Sequence, residues 1–290
     1  MGIGGLWKPE YVLKPRNIAA RLRYRDTSRL PRRMAIEVHG RRFLIDPDEV
    51  IGRHLLHFGL FDLLVTEALT RLAQPDELAA DIGANIGYMS CVLADRVGPH
   101  GKVLAFEPHP EIFADLVENT RGLPVDPAQA AVSDAAGTAV LHLPRNFAGN
   151  RGIASLETSG DSLDEVEVPS VTLDRALPPG CRIGVMKIDI EGHELAALRG
   201  AAALLRGGRI RDIVFEEHSP ENSPVAAHLR AFGYHVFRLQ KTFFGPKLLQ
   251  PDAAIGESSW ESPSLLATLQ PERAAALFQR RGWDALKTSR

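Results

Sequence analysis

Two short stretches of this 290-residue chain carry residue types that chemistry needs, at spacings that secondary structure can use. The first is DIGANIG, Asp81 to Gly87, a glycine-bearing turn between an apolar strand and an apolar helix. Such a turn sits at the carboxyl end of a strand, where open α/β sheets bind their ligands. Gly83 and Gly87 are expected to let the backbone bend sharply and a ligand approach without a Cβ in the way. A dinucleotide fingerprint would need Gly at positions 85 and 88, where Asn85 and Tyr88 stand. A P-loop is excluded because no Gly-Lys-Ser/Thr follows. The turn suits a cationic ligand without phosphate, with Asp81 fixing the turn and the ammonium end of an amino-acid cofactor. Glu107 ends the next strand and can accept bonds from both hydroxyls of a ribose. Ser133 and Asp134, at the matching end of the third strand, are candidates for the adenine edge, although SDAAG also reads as a hairpin turn.

The second stretch is VMKIDIEGHE, Val185 to Glu194. A central strand of a parallel sheet should be apolar on both faces. Here alternation puts Lys187 and Asp189 on one face, opposite Met186, Ile188 and Ile190, and Glu191, His193 and Glu194 follow around Gly192. Charged groups on such a strand are costly unless they lie at its open end with partners. Lys187, Asp189 and Glu191 are therefore placed on a ligand-facing rim. The following strand departs from apolarity in the same way at Glu216, Glu217 and His218, adding Glu217 to that rim.

These residues require an alternating α/β frame. From residue 77 the chain reads strand, turn, helix, strand: ELAADI, a helix over about 88–97, KVLAFE, a helix opened by Pro108-His109-Pro110 and running through Asn119, and a third strand near 125–133. Short β segments over 138–143, 152–157 and VEVPSVTL precede the fourth core strand, RIGVMKIDI, and its helix. IRDIVFEE, a helix near 221–232 and YHVFRL follow, then a possible strand at 265–269 and a helix from Pro271. Ahead of the core, residues 34–45 alternate around His39-Gly40 as a hairpin, and 48–73 carry apolar positions at helical spacing up to Pro75, so that the cap reads as a basic arm, a hairpin and helices. The expected organisation is a cap over 1–75, a core over 76–240 and an extension over 241–290, the core being a doubly wound, mostly parallel sheet. FFGPKLLQ, in the extension, reads either as a substrate lid or as a loop packing its aromatics on the core.

Composition narrows the class. A net charge of −2 gives no whole-molecule attraction to nucleic acid, although residues 1–33 hold nine Lys/Arg against Glu10 and Asp26. A solvated face, a substrate-phosphate contact and a membrane-surface contact all remain open for that arm. Cys91 and Cys181 form neither a C-x-x-C pair nor a metal-ligand cluster. No secretory signal and no run of eighteen apolar residues is present, and Leu6 stands where a myristoylation motif needs Ser/Thr. The expectation is a cytoplasmic protein with no transmembrane segment and an oligomeric state the sequence leaves open.

Taken together and in order, DIGANIGYMS, GKVLAFEPHPEIFADLVEN, AAVSDAAG, VTLD and MKIDIEGHELAALRGA resemble the FkbM family of S-adenosylmethionine-dependent methyltransferases. LLHFGLFDLLVTEAL resembles that family's helical lead-in, with Phe61-Asp62 where members often carry an aromatic-Glu pair. The resemblance implies a class I methyltransferase fold with a Rossmann-like seven-stranded sheet. It also implies S-adenosyl-L-methionine as cofactor and O-methylation of a hydroxyl on a sugar or secondary metabolite. It carries Asp81, Gly83, Asn85 and Gly87 to the cofactor turn, Glu107 to the ribose, and Lys187, Asp189, Glu191 and Glu194 to the KIDxEGxE block. A hydroxyl acceptor needs a general base. Asp189 is the first candidate, His218 the second and His193 the third. A divalent metal on Asp189, Glu191, Glu217 and His218 is the less favoured variant. A non-catalytic cofactor-binding module and an N- or nucleic-acid methyltransferase are the competing readings.

Overall fold

The structure, a computed structural model, describes residues 8–27, 29–145, 147–157, 162–217, 223–250 and 264–288. Its first hairpin pairs β1 (Met34–Val38) with β2 (Arg41–Ile45), and the turn residues His39 and Gly40 both have positive φ, 52° and 73°. That is the twist a two-residue hairpin needs, and it falls where the alternation places it. The apolar stretch that follows forms two helices. Val50–Phe58 ends at Gly59 in the left-handed conformation (φ 69°), and Leu63–Leu72 begins after Asp62, whose carboxylate accepts from the Val65 amide at 3.0 Å. Apolar periodicity carries across Gly59, but a left-handed C-cap and a new N-cap divide the segment.

The main sheet is assembled from β3 (Leu78–Ile82), β4 (Lys102–Phe106), β5 (Val125–Ala128), β9 (Ile183–Ile188), β10 (Ile210–Glu216), β11 (His235–Thr242), β12 (Gly245–Leu249) and β13 (Ser264–Thr268), in the order β12-β11-β13-β10-β9-β3-β4-β5. β5, β4, β3, β9 and β10 run parallel, while β13 runs antiparallel between β10 and β11. The expected doubly wound seven-stranded sheet is present, and β12 lengthens it by one edge strand. β12 comes from FFGPKLLQ, which is therefore the second arm of a hairpin; its aromatics, Phe243 and Phe244, are 39% and 70% exposed rather than packed on the core. Because β12 and β13 join the same sheet, the sheet runs across the boundary expected after residue 240.

The third apolar stretch also divides. β5 lies in the main sheet, whereas β6 (Ala131–Val132) leaves it to pair with β8 (Ser162–Val171), which in turn pairs with β7 (Gly137–Pro144). This small sheet is the insertion before β9, and residues 147–153 of its loop form two short 3₁₀ turns.

One apolar cluster holds the cap to the sheet: Phe43, Leu55, Leu69 and Leu72 pack together with Val103, Val185, Val214 and Leu266. The C-terminal segment is tied in by a buried charge. Arg71 pairs with Glu67 at 2.6 Å and donates to the carbonyls of Leu277, Arg280 and Gly282, while Glu67 also accepts from the Ala285 amide. Both side chains are essentially inaccessible, at 1% and 0%. Replacing Arg71 by Met would leave Glu67 and three carbonyls without their donor. A loss of about 3–5 kcal/mol is expected in denaturant unfolding; a change below about 1 kcal/mol would show that the pair contributes no net stability.

Candidate active site at the carboxyl ends of the core strands

A cavity of about 320 Å³ opens at the carboxyl ends of β3, β4, β9 and β10, within the range that small-molecule sites span. Its wall is built by the sheet's own register. Asp81 and Lys187 are paired positions on the neighbouring parallel strands β3 and β9, so their side chains lie side by side. Asp81 is fully buried and accepts from the Ser90 hydroxyl at 2.7 Å. The Lys187 ammonium lies 3.6 Å from Asp81, 3.4 Å from Asp189, and donates to the Gly83 carbonyl at 2.9 Å. Burial alone would lower the Lys187 pKa, but Asp189 and Asp81 hold it above its ordinary value. The ammonium is thus a fixed charge that ties the turn to both strand ends.

The turn residues Gly83, Asn85 and Gly87 all have positive φ, 76°, 49° and 90°. A Cβ on Gly83 would meet the Asp189 carbonyl oxygen at 2.0 Å, and one on Gly87 would meet Leu116 at 2.8 Å. These glycines are thus required by the chain's own packing, and Gly83 and Asn85 also line the cavity while Gly87 does not. Asp81 likewise lies behind the turn and off the cavity wall, so it fixes the turn and does not face a ligand's ammonium directly.

Glu107 does line the cavity. One carboxylate oxygen accepts from the Asn85 amide at 3.0 Å and the other from the His109 amide at 2.9 Å. Each oxygen keeps a second lone pair. Burial pushes its pKa up to about 7, against those two amide donors. Ser133 and Asp134 do not reach this wall. Asp134 is exposed beside Ala135 and Arg175, in a separate shallow depression. Ser133 is 8% exposed and its hydroxyl lies 2.8 Å from His193 Nε2. Ala130, Ala131 and Val132 take the wall position instead, because β6 turns away into the small sheet one residue earlier than the SDAAG turn.

At the end of β9, Asp189 is 36% exposed and Glu191 also lines the cavity. Glu191 and Gly192 both have positive φ, 53° and 96°. A non-glycine residue in that region is uncommon and needs its surroundings to hold it there. They do: Ser155 Oγ donates to the Glu191 carbonyl at 2.7 Å, and Glu194 accepts from the amides of Ile190 and Gly192. Burial first, then the charges of Asp189, Glu216 and Glu194, push the Glu191 pKa up to about 7. His193 is committed on both ring nitrogens, to Ser133 and, at 2.8 Å, to Glu157. That makes it a strut between the small sheet and the helix Glu194–Arg199, not a free base. Glu216 lines the cavity and Glu217 does not, because strand alternation turns the two in opposite directions. His218 lies outside the described residues.

Several wall residues were not assigned from sequence. Asp62 and Phe61 come from the lead-in, and Asn150 and Arg151 from the 3₁₀ turns of the insertion. The lead-in carried a signal, in its aromatic-acid pair; the insertion loop carried none. Among the described residues the wall holds five carboxylates (Asp62, Glu107, Asp189, Glu191 and Glu216) against the cations Lys187 and Arg151. Such a surface favours a cationic ligand. Among the described residues no group of three or more His, Cys, Asp or Glu is placed to hold a metal ion.

Comparison with known proteins gives one family. The model of the methyltransferase FkbM domain matches residues 81–236, more than half of the chain. Hexuronic acid methyltransferase AglP of Haloferax volcanii is 29% identical over 196 residues, covering 64% of this chain and 74% of that protein. Methyltransferase sdnD of Sordaria araneosa is 28% identical over 192 residues, covering 54% and 73%. Among solved structures, a SAM-dependent O-methyltransferase of Thermotoga maritima covers 81% of this chain and 77% of its own, at 12% identity and a TM-score of 0.42. Aeropyrum pernix fibrillarin in complex with S-adenosyl-L-methionine covers 71% and 74%, at 14% identity and a TM-score of 0.39.

The raised pKa of Glu191 has a stability consequence of definite sign. Its ordinary value is 4.5 and its folded value about 7. Between those values the native chain binds more protons than the unfolded one, so this group's contribution falls as pH rises. Glu191→Gln removes that slope. The melting temperature of the variant relative to wild type should climb between pH 4.5 and 7 and level off above; a flat difference would mean that Glu191 ionises as freely in the folded protein as in the unfolded one.

Proposed function

The chain belongs to the FkbM methyltransferase family and has the class I methyltransferase fold, and from that premise we propose that it methylates a hydroxyl of a sugar or a related glycan unit, using S-adenosyl-L-methionine. The observation that carries this reading is the pairing of a cofactor-type turn with Glu107 on a cavity wall rich in carboxylates. Bound there, S-adenosyl-L-methionine supplies an electrophilic methyl group carried on a sulfonium. Glu107 is the residue to accept the ribose hydroxyls, since each of its oxygens has one acceptor site beyond the backbone amides. Asp62 and Asp189 are the wall carboxylates suited to a methionine ammonium, with Asp81 and Lys187 holding the turn beneath. The sugar acceptor is favoured by the likeness to a hexuronic acid methyltransferase.

A hydroxyl nucleophile must lose its proton. Of the groups expected to take it, His193 is occupied on both nitrogens and Asp189 is engaged with Lys187. Glu191 is the better proton acceptor: it lines the cavity, is held in place by its backbone, and is poised near neutrality. Orienting the acceptor beside Glu191 within a half-closed cavity would supply most of the rate enhancement, about 7–11 kcal/mol where positioning is ideal.

Calorimetric titration with S-adenosylhomocysteine tests the cofactor assignment. Wild type should bind, and Glu107→Ala should bind roughly tenfold to a hundredfold more weakly, as expected for losing hydrogen bonds to a charged group. Equal affinities, or no binding by wild type, would sink it. For the base, Glu191→Gln should lower kcat by about 10²–10⁴ with little change in KM and abolish an acidic limb centred near pH 7. Retention of that limb in Glu191→Gln, with its loss in Asp189→Asn, would transfer the role to Asp189.

A further inference from the structure

Seven large hydrophobic side chains are conspicuously exposed among the described residues, and five of them belong to two segments that touch: Val12, Leu13 and Leu22 in the N-terminal arm, and Phe243 and Phe244 at the turn of the β11–β12 hairpin. An ion pair between Lys241, at the root of that turn, and Glu10, two residues before Val12, joins the segments. Arg21 reaches the Tyr11 hydroxyl and so brings the helix Arg16–Arg23, with Leu22, against the same turn of chain. Single exposed apolar residues need no explanation, but a cluster does.

The aromatic pair is held out rigidly. The Phe244 carbonyl accepts from the Gly282 amide at 2.7 Å, the Gly245 carbonyl accepts from Thr242 Oγ1 at 2.6 Å, and the two rings meet edge to face at 5.3 Å. A Cβ on Gly245 would lie 2.7 Å from the Gly282 carbonyl oxygen, so the turn is seated against the C-terminal segment. Such a turn is no flexible lid, and the ordering cost of presenting it to a partner is already met in the fold.

Basic residues lie along the same arm: residues 8–25 hold Lys8, Lys14, Arg16, Arg21, Arg23 and Arg25 against Glu10, whereas Arg33 is turned away to Asp115. Residues 1–33 carry nine Lys/Arg against two acids, a net of +7, while the whole chain carries −2, leaving −9 on the rest. Burial and the neighbouring Arg16 lower the Lys14 pKa to about 8, so that part of the arm gains from a nearby anion. Exposed apolar groups among clustered basic residues are the composition that settles at the interface of an anionic membrane. Position agrees with composition. β11 runs parallel to β10 and extends four residues past its last pairing with β13, at Arg238. Phe243 and Phe244 therefore project from the carboxyl edge of the sheet, the edge at which the cavity forms.

We propose that the N-terminal arm and the Phe243-Phe244 turn together dock this protein on the surface of a bilayer containing anionic lipid. The arm supplies the long-range attraction, and the two rings with Val12, Leu13 and Leu22 supply the apolar insertion. Docking turns the carboxyl edge of the sheet toward the bilayer. This inference stands independently of the methyl-transfer reading, because binding is read without turnover.

The test is co-flotation of the full chain with phosphatidylcholine vesicles, with and without phosphatidylglycerol. Wild type should float only with the phosphatidylglycerol vesicles and should be released by added salt. Phe243→Ser/Phe244→Ser should weaken partitioning by roughly tenfold or more, at an unchanged melting temperature because both rings are solvent-exposed. Arg23→Gln/Arg25→Gln should weaken it by roughly fivefold per charge and leave the aromatic turn intact. Failure of wild type to float would overturn the proposal, as would phenylalanine variants that float as well as wild type. Light scattering without lipid supplies the remaining check: a wild-type dimer that the phenylalanine variant converts to monomer would assign the patch to self-association and overturn membrane docking, whereas an unchanged mass supports it.

Discussion

The site depends on one buried cation. Lys187 is placed on a central strand, where a lone ammonium would cost several kcal/mol to desolvate. It is tolerated because register sets Asp81 beside it, Asp189 follows two residues later, and the Gly83 carbonyl completes its donors. Each partner is thereby located: Asp81 beneath the turn, Asp189 at the strand end, and the turn backbone between them. Gly83 passes so close to the Asp189 carbonyl that no other side chain fits. A change in any member of this knot displaces the others, so the turn and the rim act as a single unit.

Two carboxylates of the wall reach similar acidity by different routes, and the difference separates their roles. Glu107 is raised by burial while accepting two backbone amides that favour its ionised form. It is held by both oxygens on the cavity wall. Glu191 is raised by burial and by three neighbouring acids, with its backbone rather than its carboxylate fixed by hydrogen bonds. A group whose charge is disfavoured by like charges takes up a proton readily. The excess of carboxylates over cations on the wall thus has two physical effects: it favours positive charge in the cavity and it raises the proton affinity of Glu191.

The cavity sits between parts of different origin. The core strands supply the charged rim, the lead-in supplies Phe61 and Asp62, and the insertion supplies Asn150 and Arg151. His193 braces the insertion against the core through Ser133 and Glu157. The turn of β11 and β12, to which Glu10 of the arm is bound through Lys241, lies beyond the cavity at the carboxyl edge of the sheet.

The sequence by itself determined the alternation of strands and helices, the turn from Asp81 to Gly87, the carboxylate Glu107 at the end of β4 and the charged rim on β9. Those features are local: turn chemistry, strand alternation and the rarity of charge on a buried strand act within a few residues. Tertiary structure decided what alternation leaves ambiguous. It chose Glu216 over Glu217, because the face a strand end presents depends on its register with neighbours. It removed Ser133 and Asp134 from the wall, because β6 left the main sheet to pair with β8, a partner some forty residues on. It occupied both nitrogens of His193 and brought Lys241 to Glu10, contacts between residues far apart in the chain, which no local pattern encodes.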